Sequence, residues 1–217
     1  MQKFLKFAVV AGALMCAAAS WSAPVSLGSI EHLYGTGTGR VLPTISSEFH
    51  PGGNCDTPSA TYISVKARPA STCNRFGDLF DFSGIDYAAI DHFTVTLTFT
   101  GARDQNGANE RWNVRASSSY VQSAVNFGSQ LAASGTQSFD FPSTVSTFNS
   151  ILGTEKFMLA FATNNGAATT FDLTSARLEV FGTAAVAAVP EPGSIALVGL
   201  SLAALAAARR SKKVPKR

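Results

Sequence analysis

Phe93-Thr94-Val95-Thr96-Leu97-Thr98-Phe99-Thr100 decides the fold class, because apolar side chains alternate with threonine along the whole stretch. Successive side chains of a β-strand point to opposite faces, so this pattern predicts a strand with one buried face and one hydroxyl-rich face in water. Similar alternation predicts five more strands, the last with Arg177 and Glu179 facing water. These runs are Thr61–Val65, Trp112–Ala116, Gln137–Phe141, Phe157–Phe161 and Phe171–Val180.

The segments between these runs predict turns and one helix. Gly101–Asn109 and Thr163–Gly166 are rich in glycine, asparagine or alanine and separate strands. Pro142–Gly153 differs, because proline suits a first helical turn, glycine suits a helix end, and the apolar residues between them have helical spacing. Those apolar residues are Val145, Phe148, Ile151 and Leu152. Residues 23–183 therefore predict a mainly β fold, an antiparallel β-sandwich or jelly-roll-like domain with one short helix.

The N-terminus has the layout of a secretory signal peptide rather than of a globular fold. Lys3 and Lys6 precede an apolar stretch that is too short to span a membrane comfortably, and small residues follow. The pattern predicts a helical signal segment over residues 1–22, with cleavage after Ser22. Cys16 raises lipidation as an alternative, which the bulky Met15 before it disfavours.

The C-terminus carries a second targeting segment. Val189-Pro190-Glu191-Pro192 precedes an apolar run, Gly193–Ala208, and then a basic cluster. At about 1.5 Å per residue the run reaches roughly 24 Å as a helix, a little short of a hydrocarbon core of about 30 Å. Extending it back into Val186–Val189 makes a transmembrane helix feasible, although Pro190 and Pro192 interrupt the helix there. Ala184–Ala188 form a short linker between the domain and this tail. The basic cluster places the tail in the cytoplasm and the domain outside. It comprises Arg209, Arg210, Lys212 and Lys213, and residues 214–217 form a further basic end.

Residues 189–213 resemble the PEP-CTERM sorting signal of Gram-negative bacteria that make exopolysaccharide: motif, apolar segment and basic cluster follow in order. The resemblance implies passage through the secretion machinery and cytoplasmic membrane, then processing by an exosortase that acts near Val189, Pro190, Glu191 and Pro192. The implied destination is the cell surface or extracellular matrix, and a permanent membrane anchor is the alternative. Phe76-Gly77-Asp78-Leu79-Phe80 also resembles the Phe-x-Asp-x-Phe pattern of one PEP-CTERM subfamily.

Charge and cysteine content narrow the class of protein. Nine Lys and Arg and fourteen Asp and Glu lie between Ala23 and Ala208, so this part carries a net charge of −5 and does not predict nucleic-acid binding. Cys55 and Cys73 remain after removal of the signal, and export favours a disulfide between them. The loop that they close is worth about 3 kcal/mol. Metal binding by this pair is the alternative, but no His or Cys lies nearby at ligand spacing.

Three histidines are candidates for acid–base chemistry: His32, His50 and His92. A Ser-His-Asp triad needs a histidine oriented by a carboxylate and facing a serine. Asp91 and His92 are neighbours, so on a strand their side chains are expected on opposite faces. Gly35–Arg40 is glycine-rich but lacks the spacing of a nucleotide-binding loop, and it is interpreted as a flexible turn. We therefore expect no enzyme.

The aspartates Asp78, Asp81, Asp86 and Asp91 are the best hint of a binding site, because loop carboxylates can hold Ca²⁺. They lack EF-hand or repeat spacing, so solvated turn residues are the favoured interpretation and we expect no resident cofactor.

The aromatic residues Trp112, Tyr120 and Tyr62 would stack on sugar rings if they shared an exposed face, whereas buried core aromatics are commoner. The favoured hypothesis is a non-catalytic surface or exopolysaccharide-matrix protein. The alternative is a carbohydrate-binding module, and a secreted polysaccharide hydrolase is weaker because two carboxylates would have to face one cleft.

Overall fold

The computed structural model describes residues 23–44, 53–54, 56–67, 73–74, 76–103, 111–118, 124–163 and 169–185. The predicted signal segment and sorting tail lie outside these ranges, as do His50, Cys55 and Tyr120. The described residues form twelve β-strands and one α-helix. These are β1 Val25–Leu33, β2 Gly53–Asn54, β3 Thr57–Pro58, β4 Ile63–Ala67, β5 Cys73–Asn74, β6 Gly77–Asp81, β7 Ala89–Thr100, β8 Trp112–Ser117, β9 Val125–Ser129, β10 Gly135–Pro142, α1 Phe148–Thr154, β11 Lys156–Thr163 and β12 Thr169–Thr183.

The strands form two antiparallel sheets and one short parallel pair. The six-stranded sheet has the order β10-β7-β12-β4-β3, with β1 also paired to β12. The four-stranded sheet has the order β6-β11-β8-β9, and β2 pairs with β5 in parallel. The prediction of a mainly β, antiparallel fold with one short helix is confirmed, and the arrangement is consistent with a β-sandwich.

Aromatic side chains from the two sheets meet in one core. Phe93 of β7 lies 5.5 Å from Phe157 of β11, measured between ring centroids. Trp112 of β8 contacts Phe171 of β12 edge-on at 4.7 Å. The alternation along β7 is confirmed, since its four apolar residues from Phe93 to Phe99 are buried and the threonines between them are partly exposed. Hydrophobic burial between the sheets therefore holds the layers together.

Strand β12 contains a β-bulge that reverses its alternation. Phe171 and Leu173 are buried at odd positions, whereas Leu178 and Val180 are buried at even positions. Its pairing with β7 shifts register between Leu173 and Ser175. One extra residue at this point turns the second half of the strand over, so both halves bury their apolar side chains in the same core.

The same strand is central to the six-stranded sheet. Along one edge it pairs with β7 over nearly its whole length. Along the other edge, β4 pairs with its first residues and β1 with the rest. The fold of this sheet therefore depends on its last strand.

The helix forms within the predicted segment but with different ends. It begins at Phe148 rather than at Pro142, which is the final residue of β10. Strand β10 lies at the end of the strand order, where a missing backbone N–H can be tolerated. The helix ends at Thr154, and Glu155 caps it in the left-handed conformation, so Gly153 is not its terminus. Phe148 and Ile151 are buried as predicted.

The predicted membrane-spanning segment lies beyond the described residues. Within those residues, no helix has both the length and the apolar character needed to cross a bilayer.

Candidate functional site

Asp78 lies on the buried face of β6. Strand alternation turns Phe80 and Asp78 towards the six-stranded sheet, and the Asp78 side chain is 0% exposed. A carboxylate in the interior costs free energy unless hydrogen bonds replace its water shell.

Four donors supply those hydrogen bonds. His32 Nδ1 and the Tyr34 hydroxyl each lie 2.6 Å from Asp78 Oδ2. The backbone N–H groups of Thr44 and Leu79 donate to Oδ1 at 2.9 and 3.1 Å. We call His32, Tyr34, Thr44 and Asp78 the Asp78 network. It links β1 and the segment after it to β6, and thus joins the six-stranded sheet to the four-stranded sheet.

Packing fixes both aromatic members of this network. The His32 ring stacks on Phe80 at 4.4 Å and its side chain is 21% exposed. Tyr34 is buried and contacts Phe76 edge-on at 5.9 Å. Burial raises the pKa of Tyr34 well above its ordinary value, and the charge and hydrogen bond of Asp78 raise it further. Tyr34 therefore stays a neutral hydroxyl that donates to the carboxylate.

The other three candidate aspartates lie at the surface. Asp81 accepts a hydrogen bond from the Ser83 N–H at 3.1 Å, and hydrogen bonds from Ser83 lower the pKa of its carboxyl. Asp86 and Asp91 are also exposed. In the part of the chain that the structure describes, no three His, Cys, Asp or Glu side chains gather as metal ligands would. The four aspartates thus do not form the suggested calcium cluster, because Asp78 points inward and the others outward.

The prediction that Asp91 and His92 point to opposite faces is wrong. His92 Nδ1 lies 2.8 Å from Asp91 Oδ2. The pairing of β7 with β12 shifts register where Phe181 faces His92 and Gly182 faces Ile90, so Asp91 is an extra residue. This bulge keeps both side chains on the outer face. The His92 ring stacks on Phe181 at 4.6 Å.

The aromatic candidates do not form a described sugar-binding surface. Trp112 is 1% exposed and belongs to the core. Tyr62 is half-buried, and Tyr120 lies outside the described residues. Stacking of a sugar on Trp112 would require the core to open.

The glycine-rich segment is a closely packed turn rather than a flexible one. The Thr36 and Gly37 N–H groups donate to the carbonyls of Ser59 and Ala60 at 2.8 and 3.0 Å. A Cβ on Gly35 or on Gly37 would lie 2.7 Å from the Ala60 carbonyl oxygen. Glycine at these positions therefore allows backbone to pack on backbone.

Of the two predicted disulfide partners, the structure describes only the backbone of Cys73. Gly53 pairs with Cys73 in the short parallel ladder of β2 and β5, but Cys55 and the Cys73 side chain lie outside the described parts. The disulfide stays a prediction.

Asp56, which follows Cys55 in the sequence, is a second buried carboxyl. It is 6% exposed and accepts a hydrogen bond from the Lys66 N–H at 2.9 Å. Burial raises its pKa from 3.8 to about 7, against the opposing effects of the Lys66 N–H and the Lys66 charge.

Asp56→Asn is expected to change how stability depends on pH. Between pH 3.8 and about 7 the folded state binds this proton more tightly than the unfolded state, so the free energy of unfolding falls as pH rises. The change from 3.8 to about 7 sets an upper limit of roughly 4 kcal/mol on this loss. Asp56→Asn has no carboxyl to titrate at this position, so its free energy of unfolding should not show this decrease. Its stability relative to the parent should therefore increase as pH rises.

Urea unfolding from about pH 4 to about pH 8 measures this difference. Asp86→Asn, at an exposed position, is the matched control and should follow the parent at every pH. Parallel curves for Asp56→Asn and the parent would contradict the expectation.

Comparison with known proteins identifies the C-terminal segment that follows this domain. The described residues define a two-layer, mainly β domain whose sheets are joined by a buried carboxylate network. Residues 188–211 match the family model of the PEP-CTERM protein-sorting motif, so the chain carries a PEP-CTERM sorting motif. The match contains Val189–Pro192 and Arg209–Arg210, whereas Lys212 and Lys213 follow it. The motif indicates export, C-terminal membrane anchoring, processing by an exosortase and sorting to the cell surface.

The other comparisons add no function. No curated protein matches the chain. Among solved structures, a xylan-binding module CBM15 is similar at a TM-score of 0.42 and 11% identity, over 73% of this chain and 99% of that one. A similarity this low carries no argument about function.

Proposed function

We propose that this protein is a non-catalytic surface or exopolysaccharide-matrix component, delivered by its sorting tail and released from the membrane by an exosortase. The observation that carries the proposal is the sorting motif at residues 188–211, which begins five residues after β12 ends at Thr183.

The Asp78 network supports a structural rather than a catalytic domain. Both oxygens of Asp78 accept hydrogen bonds from β1 or the segment after it, through His32, Tyr34 and Thr44. These hydrogen bonds position the strands relative to one another. The Asp78 side chain is 0% exposed, so a dissolved ligand cannot reach it.

The outer face of the six-stranded sheet is polar, which supports the proposal of a domain that is exposed to solvent outside the membrane. Thr94 donates to Asp140 at 2.9 Å, Thr96 and Ser138 lie 2.8 Å apart, and Thr98 and Thr136 lie 3.1 Å apart, measured between side-chain oxygens. This hydroxyl ladder runs along β7 and β10 and keeps the face polar. The alternating threonines of β7 are therefore explained by their place on this solvent-facing side of the sheet.

The proposal predicts a mature chain that ends near Pro192. In cells with the sorting enzyme, mass spectrometry of the surface pool should find no peptide that spans Pro192 into Arg209. Pro190→Ala with Pro192→Ala should abolish this processing, because the prolines keep the segment non-helical. Pro215→Ala is the matched control outside the motif and should be processed like the parent.

Two results would contradict the proposal. Intact tails in the surface pool would make the tail a permanent anchor. Polysaccharide cleavage by the purified protein that disappears in His32→Ala would make the domain an enzyme.

A further inference from the structure

The first and last strands of the domain meet at one end of the six-stranded sheet. Val25 of β1 pairs with Gly182 of β12. The Ala88 N–H donates to the Thr183 carbonyl at 2.8 Å and holds the end of β12 in place. The segment that leads to the sorting motif thus leaves the sheet where the domain's first strand begins.

This geometry gives the sorting motif a short reach. The five residues Ala184–Ala188 separate β12 from Val189, and we call them the tether. Fully extended, the path from Thr183 to Val189 spans at most about 20 Å. A compact domain of about 160 residues has a radius of gyration of about 15 Å and measures roughly 40 Å across. Any enzyme that cuts at the motif must therefore work within about one radius of the folded domain.

Unfolding of the domain would remove this limit. Strand β12 pairs with β1, β4 and β7, so its C-terminal end is fixed only when the sheet has formed. In an unfolded chain the residues before the tether are also extended and add to its reach.

We propose that the tether is close to the minimum length that lets a membrane-bound sorting enzyme reach the motif beside the folded domain. This inference rests on the proposed function, since it needs an enzyme that cuts at the motif. It assigns the end of the sheet around Val25 and Gly182 to the membrane side.

The experiment uses the full chain in cells with the sorting enzyme and measures release after a pulse of synthesis. Deleting Ala184–Ala187 leaves a path of about 7 Å from Thr183 to Val189. We expect release to slow by about tenfold or more, because a linker that cannot span its sites loses nearly all effective concentration. Replacing the same four residues with Gly-Ser-Gly-Ser keeps the length and should leave release unchanged.

A destabilised background separates reach from local recognition. Asp78→Ala removes the Asp78 network, which lies at the other end of β1 from Val25. Gly128→Val is combined with it, because a Cβ on Gly128 of β9 would overlap the buried Phe139 ring. In this background the deletion should slow release by less than about twofold, as the unfolded chain restores the reach.

Release of the deletion chain at the parental rate would overturn the inference, as would equal slowing in both backgrounds. In both cases cleavage of the parent would leave the proposed function intact. A parent chain that is never cleaved would instead overturn the proposed function.

Discussion

Asp78→Ala is expected to lower the free energy of unfolding by about 3–5 kcal/mol, the cost of removing one partner from a buried charged network. The substitution leaves the buried Tyr34 hydroxyl and the Thr44 N–H without their acceptor. It also opens a space between the sheets, which adds a cavity cost. Urea unfolding monitored by tryptophan fluorescence would measure the loss as a lower midpoint.

Two further variants show where this effect comes from. Asp86→Ala changes an exposed aspartate and should alter stability by less than about 0.5 kcal/mol. Asp78→Asn keeps an oxygen acceptor at similar volume and should fall between the two. A loss below about 1 kcal/mol for Asp78→Ala would mean that the network contributes no more than an exposed pair.

Gly182→Ala is the second large effect, with an expected loss of about 3 kcal/mol or more, because overpacking against backbone cannot be relieved by a rotamer change. A Cβ at this position would lie 2.0 Å from the Ala89 carbonyl oxygen and 2.9 Å from the Ile90 Cα. Both atoms belong to β7, which is paired along β12. The variant should either fail to fold or unfold at a much lower urea concentration.

Gly153→Ala is the matched control with the opposite sign. No atom lies within 4 Å of a Cβ built on Gly153, and the residue lies in α1. Alanine in a helix is favoured over glycine by about 0.5–1 kcal/mol, so this variant should gain stability. Equal changes in the free energy of unfolding for Gly182→Ala and Gly153→Ala would show that the close contact of Gly182 with β7 does not limit the size of its side chain.

Local periodicity was enough to predict the strands with strict alternation. Phe93–Thr100 lies within β7, Trp112–Ala116 within β8 and Gln137–Phe141 within β10. In each of these strands the apolar side chains point to the core and the polar ones to the opposite face. Apolar and polar residues therefore alternate in the sequence. The helix was predicted from a different local period, the helical spacing of Phe148 and Ile151, which puts both residues on one buried face.

Bulges and irregular strands escaped prediction, because their cause lies in the partner strand. The extra residues near Thr174 and at Asp91 reverse the side-chain direction, and only the pairing of β7 with β12 shows them. Strand β1 was not predicted, since its glycine and serine residues give weak alternation. It forms because β12 offers an edge to pair with.

The candidate site was predicted only in part. Phe76 and Phe80 flank Asp78 at period two, a signal that places this carboxylate on an inward face and so demands buried partners. The sequence gives no local sign of those partners, since His32 and Tyr34 precede Asp78 by 46 and 44 residues.

By itself the sequence determined the sorting motif at residues 188–211 and the β character of the domain. Both are local properties, because a sorting enzyme or a bilayer meets a short stretch of chain and alternation is a property of neighbours. Only the tertiary structure decided which aspartate is buried, which histidine contacts it and where in the sheet the last strand before the motif ends. Those outcomes depend on the pairing of distant strands, whose free energy comes from burial shared between two sheets.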